Sequence, residues 1–156
     1  MSLLKTIKCK LMFVTVLSLF VNACTVANYV VPAYTTLKFD VSHDANPDLK
    51  GRSSPVVVKV FELSSKTIFE TQDFFALYDD PENYLGPDLI LKNEFELAPG
   101  SEHKYELSLA PGSRYAGILV AYRDIENARW REVVEIDSSE YRTVHINVGE
   151  LAVFIK

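Results

Sequence analysis

From residue 35 to the end of the chain, short β-prone runs are separated by turn-forming residues. Apolar Leu37, Phe39 and Val41 alternate with polar neighbours, which is the pattern of a strand with one buried face. The nearly continuous apolar run of 56–63 predicts a central strand that is covered on both faces over part of its length. Six further runs have strand character: 89–97, 104–109, 115–122, 130–136, 143–148 and 152–155. About eight short strands at spacings of roughly 8–12 residues predict a mainly β protein, either a sandwich or a small barrel.

Two longer connections interrupt this series of strands. Residues 42–54 are rich in turn formers and predict a loop. Residues 64–79 place aromatic side chains among helix-tolerant neighbours, which predicts one short helix or two, with Thr71 as the N-cap and Asp80-Pro81 as the end. Residues 82–88 predict a second loop. Tight turns are expected at Pro99-Gly100 and Pro111-Gly112.

Residues 1–23 are predicted to be a targeting segment and not part of the fold. Lys5, Lys8 and Lys10 give it a basic start, and an apolar run follows over residues 11–21. A membrane-spanning helix needs about 20 apolar residues, so this run has the length of a signal-peptide core and is too short to span.

The end of the targeting segment predicts lipidation. Val21-Asn22-Ala23-Cys24 resembles a lipobox, in which the cysteine is acylated and becomes the mature N-terminus. Cleavage before Cys24 removes Cys9, the only other cysteine, so acylation accounts for a single remaining thiol. The alternative is a buried or disulfide-bonded cysteine in an uncut protein. Thr25 stands where an aspartate favours retention at the inner membrane, so we expect delivery to the outer membrane.

These features divide the chain into a lipoprotein signal peptide (1–23), a lipidated tether (24–34) and a β-domain (35–156). The whole chain has 16 basic and 21 acidic residues, and the signal peptide holds three of the basic ones and none of the acidic ones. The mature protein therefore carries 13 basic residues against 21 acidic ones, a formal net charge of −8. A strongly acidic body repels phosphate backbones and anionic lipid, so we expect no nucleic acid partner and membrane binding through acyl chains alone.

The residue pattern gives no support to catalysis, a metal site or a cofactor. His43, His103 and His145 lie far apart in sequence, and no Cys-x-x-Cys or glycine-rich phosphate loop is present. Paired acids such as Glu94 and Glu96 fall on one face of a predicted strand, and Asp79-Asp80 precedes a helix-ending proline. We therefore expect a protein that is not an enzyme.

A group of aromatic residues in the predicted helical segment has two interpretations. Phe69, Phe74, Phe75 and Tyr78 can form a ligand or partner patch, or they can pack the helix onto a sheet. The second interpretation is the more common one for such a group.

Several segments in order resemble the TssJ (SciN-type) lipoproteins of the type VI secretion system. Asn46-Pro47-Asp48 and the run 51–63 are similar to the region of the second strand in that family. Residues 73–81 resemble its helical insertion, and Leu85–Leu89 followed by Pro99-Gly100 continues the match. With the lipobox, the resemblance covers nearly the whole chain.

The resemblance implies a transthyretin-like, two-sheet antiparallel β-sandwich with a short helical insertion between early strands. It also implies a protein of the outer membrane that binds the periplasmic C-terminal region of the inner-membrane protein TssM. With TssM and TssL, such a lipoprotein builds the envelope-spanning complex that anchors the secretion tail.

The same resemblance implicates the loop between the first two strands, here 42–54, in the TssM contact. Loops on a rigid β-framework are frequent sites of recognition, with an apolar anchor at the centre and charges at the rim. The candidate partner-binding residues are Asn46, Pro47, Asp48, Leu49, Lys50, Gly51 and Arg52. The alternatives are a plain solvated loop, and a transthyretin-like periplasmic lipoprotein that carries a small molecule in an apolar pocket.

Overall fold

The computed structural model describes residues 34–137 and 139–156. These residues form eight β-strands in two four-stranded sheets, which confirms the predicted mainly β sandwich. The strands are β1 Thr35–Val41, β2 Val56–Leu63, β3 Leu89–Leu97, β4 Glu102–Glu106, β5 Tyr115–Ala121, β6 Arg131–Glu135, β7 Arg142–Val148 and β8 Val153–Ile155.

The order of strands is β4-β1-β7-β8 in the first sheet and β3-β2-β5-β6 in the second. The sheets are antiparallel as predicted, except that β1 and β7 pair in parallel from Thr35 opposite Arg142 to Val41 opposite Val148. A parallel pair needs a long crossover connection. Here the chain passes through the entire second sheet between β1 and β7, so it returns in the same direction.

Two hydrophobic cores explain the pattern of β2. Its residues Val56, Val58 and Val60 face the first sheet and pack in the core between the two sheets. Phe61 and Leu63 point to the opposite face, where they pack in a second core under the helices. Residues 60–63 are therefore all buried, as the nearly continuous apolar run predicts.

The connection from β2 to β3 contains three short helices, α1 Thr67–Thr71, α2 Phe74–Asp79 and α3 Pro81–Leu85, and a 3₁₀ turn at Gly86–Asp88. We name residues 64–88 the helical excursion. Apolar side chains of all three helices cover the outer face of the second sheet. Within the described ranges, no helix has both the length and the apolar character that crossing a membrane requires.

Two predictions about the helical excursion are wrong. The N-cap of α2 is Asp73 and not Thr71: the Asp73 carboxylate accepts a hydrogen bond from the backbone N–H of Ala76 over 3.0 Å. Pro81 ends α2 but also begins α3, because proline lacks the N–H that the first position of a helix leaves unpaired. Residues 82–88 are consequently helical and not a loop.

Strand β4 ends three residues before its predicted end because of a buried carboxylate. Glu62 on β2 is 1% exposed, and its carboxylate accepts hydrogen bonds from the backbone N–H groups of Ser108 and Ala110 over 2.6 and 3.1 Å. The Ser113 hydroxyl donates to the same carboxylate over 2.7 Å. The backbone after β4 therefore bonds to a side chain of the other sheet, and Leu109 adopts a φ of 49°.

The register places the connections at two opposite ends of the sandwich. Tyr34 precedes β1 at one end, where its carbonyl accepts a hydrogen bond from the Arg142 backbone N–H. Loop 42–54, the β5–β6 connection and the β7–β8 connection follow strands that end together at the other end. We name this second end the loop end.

Candidate partner-binding site

Asn46 forms the base of loop 42–54, and its side chain is 3% exposed. The amide Nδ2 donates to the Pro55 carbonyl over 2.6 Å, and Oδ1 accepts from the Arg123 backbone N–H over 2.8 Å. The Asn46 backbone N–H donates to the Glu150 carbonyl over 2.9 Å. Asn46 thus ties the loop to the β5–β6 and β7–β8 connections.

The backbone conformation of Asn46 explains the residue type. Its φ of 52° lies in the left-handed region, which asparagine tolerates better than most residues with a side chain. Glycine would adopt this φ but could supply neither the donor nor the acceptor. Asn46 is buried, so its contribution to the site is to fix the conformation of the loop.

Asp48 organises the tip of the loop. Its Oδ1 accepts from the backbone N–H groups of Lys50 and Arg52 over 2.8 and 3.0 Å, and Oδ2 accepts from Nε of Arg52 over 2.8 Å. The hydrogen bond from the Arg52 side chain, and then those from the backbone, hold the pKa of the Asp48 carboxyl below its ordinary value. Gly51 completes the turn with a φ of 76°. The tip is therefore a hydrogen-bonded turn.

Leu49 lies at the apex of this turn, and its side chain is 108% exposed relative to an extended reference. Lys50 and Arg52 flank it and are also exposed, while Pro47 and Asp48 are half-buried. Because hydrogen bonds already order the backbone of this turn, a partner that covers Leu49 would need to order little of the backbone. The loop has the form of a preorganised apolar contact with a charged rim.

The turn borders an open cleft of about 650 Å³ at the loop end. The cleft brings together five of the residues that the sequence singles out and three that it does not. Its lining is Pro47, Asp48, Leu49, Lys50, Arg52, Arg123, Asp124 and Leu151. The last three come from the β5–β6 and β7–β8 connections, and nothing in the local sequence connects them to loop 42–54.

Five of the eight residues that line this cleft are charged, and the cleft is open to solvent. An enclosed small-molecule site buries most of its ligand against apolar walls. The geometry here instead suits a protruding segment of another protein. Cys24, the predicted lipidation site, lies outside the described residues.

The three histidines serve separate local contacts. His43 fills the space above Gly100, where an added Cβ would lie 2.4 Å from the imidazole ring. The His103 ring lies 4.5 Å from the Phe95 ring, and His145 Nδ1 lies 3.8 Å from a carboxylate oxygen of Asp40. In the described part of the chain, no group of three or more His, Cys, Asp or Glu side chains is arranged to hold a metal ion.

The aromatic residues of the helical excursion pack it onto the second sheet. Phe69 is fully buried against Phe61, with ring centroids 5.7 Å apart. Phe74 lies between Tyr78 and Trp130, at centroid distances of 5.2 and 5.3 Å. These contacts agree with the packing interpretation. Phe75, the remaining member of the group, is 61% exposed.

Comparisons with known proteins identify the family of the chain and match its fold. The model of the type VI secretion lipoprotein family T6SS-SciN, whose description includes VasD, EvfM and TssJ, matches residues 33–151. No curated protein sequence matches the chain at a significant level.

Solved structures match over most of the chain. The lipoprotein TssJ1 from Pseudomonas aeruginosa is 32% identical, with a TM-score of 0.77 over 81% of this chain and 96% of that one. Lip from Serratia marcescens, described as a membrane-bound component of the type VI secretion system, is 25% identical, with a TM-score of 0.70 over 81% and 97%.

A third match concerns the fold alone. The structure of the TssM C-terminal domain from EAEC includes a matched chain that is 20% identical, with a TM-score of 0.69 over 81% of this chain and 98% of that one. The family match covers far more than half of the sequence, and the sandwich with its helical excursion agrees with the TssJ fold. The chain therefore belongs to the type VI secretion lipoprotein family that includes TssJ.

Proposed function

We propose that this lipoprotein is a non-enzymatic docking subunit. Acylated Cys24 would hold it at the periplasmic face of the outer membrane, and loop 42–54 would bind the periplasmic C-terminal region of TssM. Through TssM, it would connect the outer membrane to the envelope-spanning complex of the secretion system, with TssL as an indirect partner. Family membership supports the secretion role, and the structure of the TssM C-terminal domain that includes a chain of this fold supports TssM as the partner.

The observation that carries the proposal is the presentation of Leu49. Leu49 is fully exposed, so it packs against nothing in the fold, and the hydrogen-bonded turn places it at the apex of the loop beside the cleft. Burial of an exposed leucine side chain contributes roughly 1.5–3 kcal/mol. Leu49 is therefore the side chain through which the loop would gain most of its apolar binding energy.

Lipidation and loop recognition would work together. A single acyl chain binds a membrane only weakly, and two or more hold firmly. A protein held at one membrane meets a periplasmic partner at a high effective concentration. We expect the tether to join the sandwich at Tyr34, so the loop end would remain accessible to a partner that arises from the inner membrane.

The test of the loop is a binding measurement between the full-length lipoprotein in detergent and the purified periplasmic region of TssM. Leu49→Asp should weaken binding at least about tenfold, because a carboxylate replaces the apolar contact. Phe75→Asp is the matched control, since Phe75 is 61% exposed on the helical excursion and is not part of the cleft lining. Equal affinities for wild type and Leu49→Asp would contradict the proposal.

The test of the tether is membrane retention. Cys24→Ser should release the protein into the soluble periplasmic fraction, because the acyl chains supply the membrane affinity. Metabolic labelling with a fatty acid should mark the wild type and not the variant. Retention of Cys24→Ser at the outer membrane would refute the lipid anchor.

A further inference from the structure

The cleft at the loop end differs in charge from the protein around it. Its lining contains three cationic side chains, Lys50, Arg52 and Arg123, and two anionic ones, Asp48 and Asp124. The whole sequence has the opposite balance, with 16 basic and 21 acidic residues. The lining is therefore locally positive on an acidic protein.

Two cations of the cleft, Lys50 and Arg123, form no direct salt bridge with the described carboxylates, and Arg123 attracts Asp48 only at longer range and helps to lower its pKa. Asp48 is neutralised by Arg52, whose Nη2 lies 2.6 Å from Oδ2 of the carboxylate. Among the described residues, neither the Lys50 ammonium nor the Arg123 guanidinium lies within 4.0 Å of a carboxylate. Asp124 accepts two hydrogen bonds of 3.0 Å from the Asn127 amide.

The apolar part of the cleft comes from two different connections. Leu49 belongs to loop 42–54 and Leu151 to the β7–β8 connection, while Pro47 completes the apolar part of the lining. Asn46 fixes the relative position of these connections. Its side chain bonds to Arg123 of the β5–β6 connection, and its backbone N–H bonds to Glu150 of the β7–β8 connection. The apolar surface and the two cations are thus parts of one preformed site.

We propose that this composite cleft accepts an acidic segment of the partner that carries an apolar side chain between carboxylates. The apolar side chain would contact Leu49 and Leu151, and the carboxylates would pair with Lys50 and Arg123. This inference rests on the proposed docking function and extends it, since it places residues of three connections in the interface and assigns the chemistry of the segment that they bind. The acidic body of the lipoprotein repels any polyanion at long range, so attraction for the acidic segment would come only from this local positive site.

The experiment measures binding of the full-length lipoprotein to the periplasmic region of TssM over a range of salt concentrations. Lys50→Glu and Arg123→Glu should each weaken binding at least about tenfold, and in the double variant the salt dependence should reverse sign, because added salt then screens repulsion. Lys104→Glu is the matched control, since Lys104 is exposed on the outer face of the first sheet and outside the cleft. Arg123→Glu should fold normally, because only the backbone N–H of Arg123 bonds to Asn46.

A compensating charge substitution in the partner would identify the residue that pairs with Arg123. An Asp→Lys or Glu→Lys substitution in the TssM segment should restore binding to Arg123→Glu. If Lys50→Glu and Arg123→Glu both leave affinity and salt dependence unchanged while Leu49→Asp weakens binding, the acidic segment is refuted and the docking function stands. If Leu49→Asp also leaves binding unchanged, the proposed function itself fails at this loop.

Discussion

Loop 42–54 and the helical excursion are both long connections that begin or end at β2, but they use their side chains in opposite ways. In the loop, polar and backbone hydrogen bonds from Asn46 and Asp48 hold the chain, and Leu49 points into solvent. In the excursion, Phe69 and Leu77 are fully buried against the second sheet. The loop keeps its apolar side chain available, whereas the excursion uses its apolar side chains to build a core.

Because of this difference, stability and partner recognition should depend on different residues. A connection that is fixed through its backbone can expose an apolar side chain without losing its shape. A connection that is fixed through apolar packing has few apolar groups left to offer a partner. Substitutions in the two regions should therefore affect the free energy of unfolding and the affinity for the partner in different proportions.

The largest expected effect is on stability and comes from the excursion. Phe69→Ala should lower the free energy of unfolding by about 3–5 kcal/mol, because it leaves a cavity against β5. The ring lies so close to Gly117 that a Cβ on that glycine would be 2.9 Å away. Denaturant unfolding measures the loss, and Phe75→Ala, at an exposed phenylalanine of the same excursion, should change stability by less than about 0.5 kcal/mol.

The folded fraction of Phe69→Ala should bind the partner with wild-type affinity. A loss of affinity in the folded fraction would mean that the excursion takes part in recognition and that the separation between the two regions fails.

Asn46→Ala should lower both the free energy of unfolding and the affinity for the partner. The expected loss of stability is smaller than that of Phe69→Ala. It leaves the Pro55 carbonyl and the Arg123 N–H unpaired and places alanine at a positive φ, which together cost about 2–4 kcal/mol. Partner affinity should fall as well, because the loop loses its fixed position. Asn93→Ala, at an exposed asparagine on β3, is the control for both measurements. Unchanged affinity would show that the shape of the loop does not matter to the partner.

The smallest expected effect is on the pH dependence of the loop's stability. Because the Asp48 pKa is lower in the folded protein than its ordinary value of about 3.9, this carboxylate stabilises the loop above that pH. The contribution is lost as the pH falls through the folded-state pKa. Arg52→Gln should raise the Asp48 pKa toward the ordinary value, which NMR titration of the carboxyl carbon measures. An unaltered pKa would mean that Arg52 does not organise the tip.

The strands and the exposed apex of the loop could be predicted from local sequence. Alternation at Leu37, Phe39 and Val41 reports directly which face of β1 is buried, and an isolated leucine among turn formers indicates an exposed apolar contact. The N-cap at Asp73 could also be predicted from local sequence, because aspartate before a helical run is as good an N-cap as threonine.

The features that could not be predicted depend on contacts between distant residues. The Asn46 amide bonds to Arg123, 77 positions away, and no local pattern distinguishes this asparagine from one that is simply in a turn. Arg123 and Leu151 join the cleft only through such contacts. The parallel direction of β1 and β7 is hidden for the same reason, since alternation along a strand is identical for both pairing directions.

The parallel pairing of β1 has a mechanical consequence. This strand lies inside its sheet, with β4 on one side and β7 on the other, and all seven of its residues pair with β7. A load between Tyr34 and loop 42–54 runs along the covalent backbone of β1, because the loop directly follows that strand. A partner that also held Leu151, after β7, would pull on β7 in the same direction, and this part of the load would reach β1 as shear on all seven residue pairs. Under the proposed docking arrangement, tension would therefore act along the paired strands and not across them.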